Sequence, residues 1–194
     1  ATNLIAVAAG GGQNLALRAD GVVFAWGSND HGQTNVPPDA TNIIAIAAGE
    51  YHSLALRADG RVRAWGGEYF GATAVPPEAT NVVAIAGGWG HSVALRADGT
   101  VVGWGTYGVP AGLSNVVAIA CGGWHSLALL TDRTVVAWGD NASGQCNVPV
   151  GITNVAAIGA GRVNTVVLLD QGTLGFRLYR PAEENSKFSM YLPT

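Results

Sequence analysis

Asn42-Ile43-Ile44-Ala45-Ile46-Ala47-Ala48, continued by Gly49-Glu50-Tyr51-His52-Ser53-Leu54-Ala55-Leu56-Arg57, decides the fold, because the chain repeats it. Copies of the opening begin at Asn3, Asn42, Asn81, Asn115 and Asn154, spaced 39, 39, 34 and 39 residues apart. A period in this range marks an architecture in which each unit is one supersecondary piece that buries its apolar surface by stacking on its neighbours.

Within the second copy, Asn42 to Ala48 reads as a strand with the large Ile44 and Ile46 on one side and the small Ala45 and Ala47 on the other. A second strand, Ser53 to Arg57, alternates Leu54 and Leu56 with Ser53 and Ala55. Two apolar faces, one large and one small, suit a sheet covered on both sides by interdigitating neighbours. Asp59-Gly60 predicts a tight hairpin with positive φ at both central residues. It recurs at Asp20-Gly21 and Asp98-Gly99, whereas Asp132-Arg133 and Gln171-Gly172 predict looser or differently shaped turns. A third strand, Arg61 to Trp65, leads through a loop to a short fourth strand at Thr73-Ala74-Val75, which Pro76-Pro77 ends.

Four antiparallel strands per unit, stacked around an axis, make a β-propeller blade. The expectation is therefore an all-β chain: one β-propeller domain over residues 1–194 with about five four-stranded antiparallel blades, at about 2–40, 41–79, 80–113, 114–152 and 153–194. Trp26, Trp65, Trp104 and Trp138 share one repeat position before a glycine and read as packing residues between sheets. The fifth copy has Arg177 there, as a degenerate end copy would. After a polar loop, Met190 to Thr194 reads as a final fourth strand.

Composition narrows the function classes. Apolar residues make up 48%, charged residues 12%, and there are 28 glycines, which fits many short strands joined by tight turns. A net charge of -3 and a single lysine, Lys187, argue against a nucleic-acid partner, since phosphate binding draws on clustered Lys and Arg. No apolar run approaches the roughly 18 residues of a membrane span. No signal peptide is visible, and the chain opens in repeat register, as a mature or trimmed product would. Cys121 falls at a small-residue position and Cys146 where two copies have Thr34 and Thr73; they read as two free thiols, with a disulfide as the alternative.

The motifs Ala48-Gly49-Glu50-Tyr51-His52-Ser53-Leu54-Ala55-Leu56, Asp59-Gly60, Ala64-Trp65-Gly66 and Gln33-Thr34-Asn35-Val36-Pro37 resemble the regulator of chromosome condensation repeat, over residues 2 to about 175. Unit length and the Gln33 to Pro37 ending are most similar to the compact bacterial version found in propeller-type β-lactamase inhibitory proteins. The resemblance implies a propeller, a protein-binding role and an extracellular or periplasmic, bacterial-type location. Such relatives usually close a ring of seven blades. About five copies imply a smaller closed ring, an open part of a larger one, or open edges that pair with a second copy of the chain.

Strand parity puts the turn after each first strand and the loop after each third strand on one side of the molecule. That side carries Glu50, Tyr51, Trp89 and Trp124 from first turns and His31, Tyr69, Phe70 and Tyr107 from third loops. Exposed aromatics on one face read as a protein-binding surface, because Trp and Tyr offer much contact area at small entropic cost. The bland alternative is that the rings pack on adjacent loops. His52, His91 and His125 share a position that holds Gln13 and Asn164 elsewhere. An amide replaces a hydrogen bond but not a metal-bound imidazole, so a repeated bond to backbone is expected and no metal. The carboxylates lack a partnered base or nucleophile. The chain therefore reads as no enzyme, without cofactor, whose partner is another protein or itself; a self-assembling repeat protein and a lectin-like propeller are the alternatives.

Overall fold

The computed structural model describes residues 2–170 and the backbone of residues 176–179. Within them the chain forms five three-stranded antiparallel sheets in sequence order. The first holds β1 (Leu4–Ala9), β2 (Gln13–Arg18) and β3 (Val23–Gly27). The second holds β4 (Ile43–Ala48), β5 (His52–Arg57) and β6 (Val62–Gly66). β7 (Val82–Gly87), β8 (His91–Arg96) and β9 (Val101–Gly105) form the third. β10 (Val116–Cys121), β11 (His125–Leu130) and β12 (Val135–Gly139) form the fourth. β13 (Val155–Ala160), β14 (Thr165–Asp170) and β15 (Phe176–Tyr179) form the fifth. The middle strand pairs with both others each time.

The expected fourth strand is absent among the described residues. At Thr73-Ala74-Val75 the backbone donors are used locally: Ala74 N–H donates to Gly71 O and Val75 N–H to Thr73 O, and Pro76 and Pro77 have none to offer. A segment whose donors point into its own turn cannot extend a ladder. The same bonds recur at Asn35 and Val36 and at Asn147 and Val148. Instead of pairing, these segments insert Val36 and Val75 between consecutive sheets. The proposed strand at Met190 to Thr194, the turn at Gln171-Gly172 and the side chain of Arg177 lie outside the described residues.

Two further expectations are corrected at residue level. The first strands begin one residue later than read, because Asn3, Asn42, Asn81, Asn115 and Asn154 all have φ between 53° and 62°. Asn is a residue type that tolerates this left-handed region, and here it turns the incoming link into the strand. Each first strand also carries a β-bulge; in β4 the register jumps between Ile43 and Ala45. The extra residue puts Ile43 and Ile46 on one face, Ala45 and Ala47 on the other, and leaves Ile44 exposed.

The hairpin at Asp59-Gly60 has one positive φ, at Gly60 (75°), not two. Gly60 N–H donates to Arg57 O, and Asp59 Oδ1 accepts from Arg61 N–H, giving a three-residue loop with a left-handed third position. Arg133 takes φ 65° at the same place, with the same bond to Leu130 O, so the fourth hairpin keeps the shape of the others instead of loosening.

Packing runs from sheet to sheet. Leu54 and Leu56 on one face of the second sheet meet Ala94, Val82 and Trp104 of the third, while Ala55 on the other face meets Leu15 and Leu17 of the first. Large thus faces small across the first three interfaces, which lets the sheets approach closely, while Val167 replaces the alanine at the fourth. Among the described residues no sheet covers the outer face of the first: Leu4, Val7, Phe24 and Trp26 are exposed, Trp26 at 52% against 7% for Trp65. Trp65, Trp104 and Trp138 are the inter-sheet residues expected; Trp26 is not.

Candidate functional site

The interfaces are tied by a repeated polar device beneath the loops. His52 Nε2 and Ser92 Oγ are 2.8 Å apart, and Ser92 Oγ donates to Ala72 O. With the hydroxyl proton so committed, Nε2 carries the imidazole proton and donates, leaving Nδ1 buried without a partner. His91 with Ser126 and His125 with Thr165 repeat the contact, while Gln13 in the first sheet bonds the backbone, donating to Gly49 O and His52 O. The expected bond to backbone thus holds for Gln13, whereas the three histidines bond hydroxyls of the next sheet. Burial lowers the His52 and His91 pKa values to about 4; for His52 the neighbouring His91 adds to it, and for His91 a backbone group of His125 partly offsets it.

Above this layer consecutive first turns nest on one another in a glycine-rich arc. A side chain on Gly49 or Gly122 would collide with the carbonyl of Gly88 or Gly161 in the next turn, so only glycine allows the turns to nest. Glu50 N–H donates to Gly88 O and Trp89 N–H to Gly123 O across the sheets. The recess they surround, about 210 Å³, is lined by these glycines with Glu50, Trp89 and Arg162 at its edge.

The rim aromatics form two groups. His31, Tyr51 and Tyr69 pack edge to face, with centroids 5.1 to 5.2 Å apart, and Tyr69 Oη lies 3.3 Å from His31 Nδ1. Trp124 packs edge to face on both Phe70 (5.3 Å) and Trp89 (5.8 Å), and the Arg162 guanidinium sits 4.6 Å over the Trp89 ring. The consecutive residues Tyr69 and Phe70 join one group to the other. Tyr107 stands apart from both, with its ring contact on His91. Each group rests on bare backbone: a Cβ on Gly67 would press on Tyr51 and Tyr69, and one on Gly90 on Phe70 and Trp124.

Tyr51, Tyr69 and Phe70 are exposed, whereas His31, Trp89, Tyr107 and Trp124 are half-buried. The rings pack on one another as the second expectation had it, and the most open are Tyr69 at 45% and Phe70 at 64%. Phe70 has φ 56°, an uncommon backbone for a bulky residue. The cause is two residues away. In the first and fourth units Gln33 and Gln145 brace the loop by accepting from the backbone of His31 and Ser143 and donating to Ser28 and Asp140. Ala72 stands at that position in the second unit and cannot, so the loop 69–71 takes another path and presents Phe70 outward.

Arg162 was not singled out from the sequence, although it shares the repeat position of Glu50 and Trp89. The cysteines are free thiols: Cys121 Sγ lies 3.6 Å from Ser126 Oγ and Cys146 Sγ donates to Asp140 O. Burial pushes the Cys121 thiol up to about 12.

A family model, the Regulator of chromosome condensation (RCC1) repeat, matches residues 4–33, 43–72, 82–106 and 116–145. No curated protein matches the sequence significantly. Among solved structures, the chain is similar to yeast RCC1 (Prp20) in its complex with Kap60, with a TM-score of 0.73 and 24% identity over 91% of this chain and 55% of that one. Prp20p from Saccharomyces cerevisiae gives 0.74 and 25%, over 91% and 56%. The entire ectodomain of the receptor kinase CR4 from Physcomitrella patens gives 0.76 and 24%, over 91% and 53%. The chain spans about half the length of each.

Proposed function

We propose that this chain, which belongs to the Regulator of chromosome condensation (RCC1) repeat family, is a protein-binding module that grips its partner with the aromatic rim. The observation that carries the reading is the outward Phe70, held in a left-handed backbone over Trp124 and beside the Tyr51–Tyr69–His31 group. Uncommon backbone at an exposed aromatic costs stability, and such strain clusters where a side chain is used. Rigid aromatics also lose little entropy on contact, which is why they dominate hot spots. Precedent supports the class of partner: one relative was solved bound to Kap60, and Prp20p is described by its binding to Gsp1p and histones.

The test compares quantitative affinity capture by the native chain and by a Phe70→Ser/Trp124→Ser variant with an unchanged circular dichroism spectrum. Loss of the specifically retained proteins is expected; an identical set at identical yield would remove the rim. An enzyme-inhibitor form of the same reading follows from the resemblance to propeller-type β-lactamase inhibitory proteins. It is checked by adding the chain to class A β-lactamases and following hydrolysis of a chromogenic β-lactam, where unchanged rates would discard the inhibitor role alone.

A second reading, self-assembly, draws on a different surface. Leu4, Val7, Phe24 and Trp26 occupy positions that face a neighbouring sheet in the other units, and here they face solvent. Exposed apolar faces of this kind favour association. Sedimentation velocity over a concentration series should show association that a Trp26→Arg substitution weakens, and a single monomer at every concentration would end this reading.

A further inference from the structure

Charge is divided unevenly between the two sides of the molecule. Every ion pair among the described residues lies on the side away from the rim: Arg18–Asp20, Arg57–Asp59, Arg63–Asp39, Arg96–Asp98 and Arg133–Asp170. On the rim side stand four carboxylates, Asp30, Glu50, Glu68 and Asp140, against one described guanidinium, Arg162, which is already stacked on Trp89. Asp30 accepts a bond from Ser28 Oγ, and Asp140 accepts from Gln145 Nε2 and the Ala142 N–H. Glu50 and Glu68 have neither hydrogen bond nor ion pair for their side chains among the described residues, and they flank Tyr51 and Tyr69 in the chain.

We propose that the partner surface that covers this rim is basic: a protein segment whose Lys or Arg side chains pair with Glu50 and Glu68 while lying on the open faces of Tyr69 and Phe70. The inference rests on the aromatic rim being the binding surface, and adds the partner's chemistry to it. Covering the rim with an apolar or acidic surface would strip water from unpaired carboxylates with nothing in exchange, which is strongly unfavourable. A guanidinium or ammonium supplies the missing charge, and its flat or compact cation is attracted to the same aromatic faces. A second copy of this chain fits poorly as that partner, because its described arginines other than Arg61 are already paired or stacked.

Two synthetic probes separate charge from aromatic contact: a short peptide alternating arginine with tyrosine, and one of equal length alternating glutamate with tyrosine. Binding is read from the indole N–H resonances of Trp89 and Trp124 in the full chain. The arginine peptide should shift both, lose about tenfold in affinity in the Glu50→Gln/Glu68→Gln variant, and weaken as salt is raised. The glutamate peptide should shift neither. Arginine-peptide affinity unchanged in the glutamine variant, equal binding of the glutamate peptide, or no response to either would each overturn the basic partner. If instead a natural partner is lost by the Phe70→Ser/Trp124→Ser variant but kept by the glutamine variant, the rim stands as the binding surface and the charge inference alone falls.

Discussion

At the residue scale, His52 shows how one proton assignment propagates into stability. Its neutral form donates from Nε2 to Ser92 while Nδ1 is buried with no acceptor nearby. Protonation would bury both a charge and an unmatched donor, so the folded pKa falls to about 4 from an ordinary 6.5, as it does for His91. A lowered histidine pKa contributes stability that is fully present above pH 6.5 and is lost as pH falls towards 4. The loss amounts to roughly 3 kcal/mol per histidine at most. Urea midpoints should therefore drop between pH 6.5 and 4, and less so in His52→Gln, a residue that the first unit already uses at this position. An unchanged pH slope in that variant would contradict the assignment.

Tryptophan provides a paired comparison. Trp65 Nε1 donates to Gln33 O and Trp104 Nε1 to Ala72 O, but Trp138 Nε1 is buried without a partner. The third unit is the short one, and its loop brings no carbonyl to that place. Trp65→Phe and Trp138→Phe remove the same volume at equally buried sites, so their difference isolates the hydrogen bond. Trp65→Phe should cost about 1 kcal/mol more in denaturant unfolding; equal costs would show the bond to be without consequence. The tryptophan period was legible in the sequence, while the missing acceptor depended on a loop path that the period does not specify.

At the element scale, each sheet offers a leucine face to the sheet that follows. Leu56 is fully buried in such an interface, whereas its counterpart Leu168 on the fifth sheet is half-buried. Leu56→Ala should cost about 2–5 kcal/mol and Leu168→Ala clearly less, as read from chemical denaturation. Similar costs would mean that the fifth sheet is covered as fully as the second. Alternation of large and small residues foretold these faces, but not the bulge that moves Ile43 rather than Ile44 inward. A bulge is a relation between two strands, and one strand's pattern does not contain it. The lost fourth strand has a similar origin: Val-Pro ends look like strand ends until local bonds to Gly71 and Thr73 are seen to consume the donors.

At the scale of the whole molecule, stability is distributed along the sheets, of which, among the described residues, the third has neighbours on both sides and the first on one. Repeat arrays of this kind gain stability from nearest-neighbour interfaces, and their ends open first. Native-state hydrogen exchange should find the strongest protection in β7–β9 and the weakest in β1–β3. Uniform protection across the five sheets would point to closure of the first sheet's outer face by another part of the assembly.

The amino-acid sequence alone determined the unit, three of the four strands read in it and the side on which aromatic residues gather, because these follow from periodicity and strand parity, which are local. The tertiary structure decided what depends on neighbours. It joined Tyr69 to Phe70 as the bridge between two ring clusters, turned Phe70 outward where Ala72 replaces a bracing glutamine, set Arg162 over Trp89, and left Trp26 facing solvent. Except for the Ala72 replacement, which is local in the chain, these arise from contact between different units or from a face left uncovered among the described residues, and no pattern within one unit carries that information.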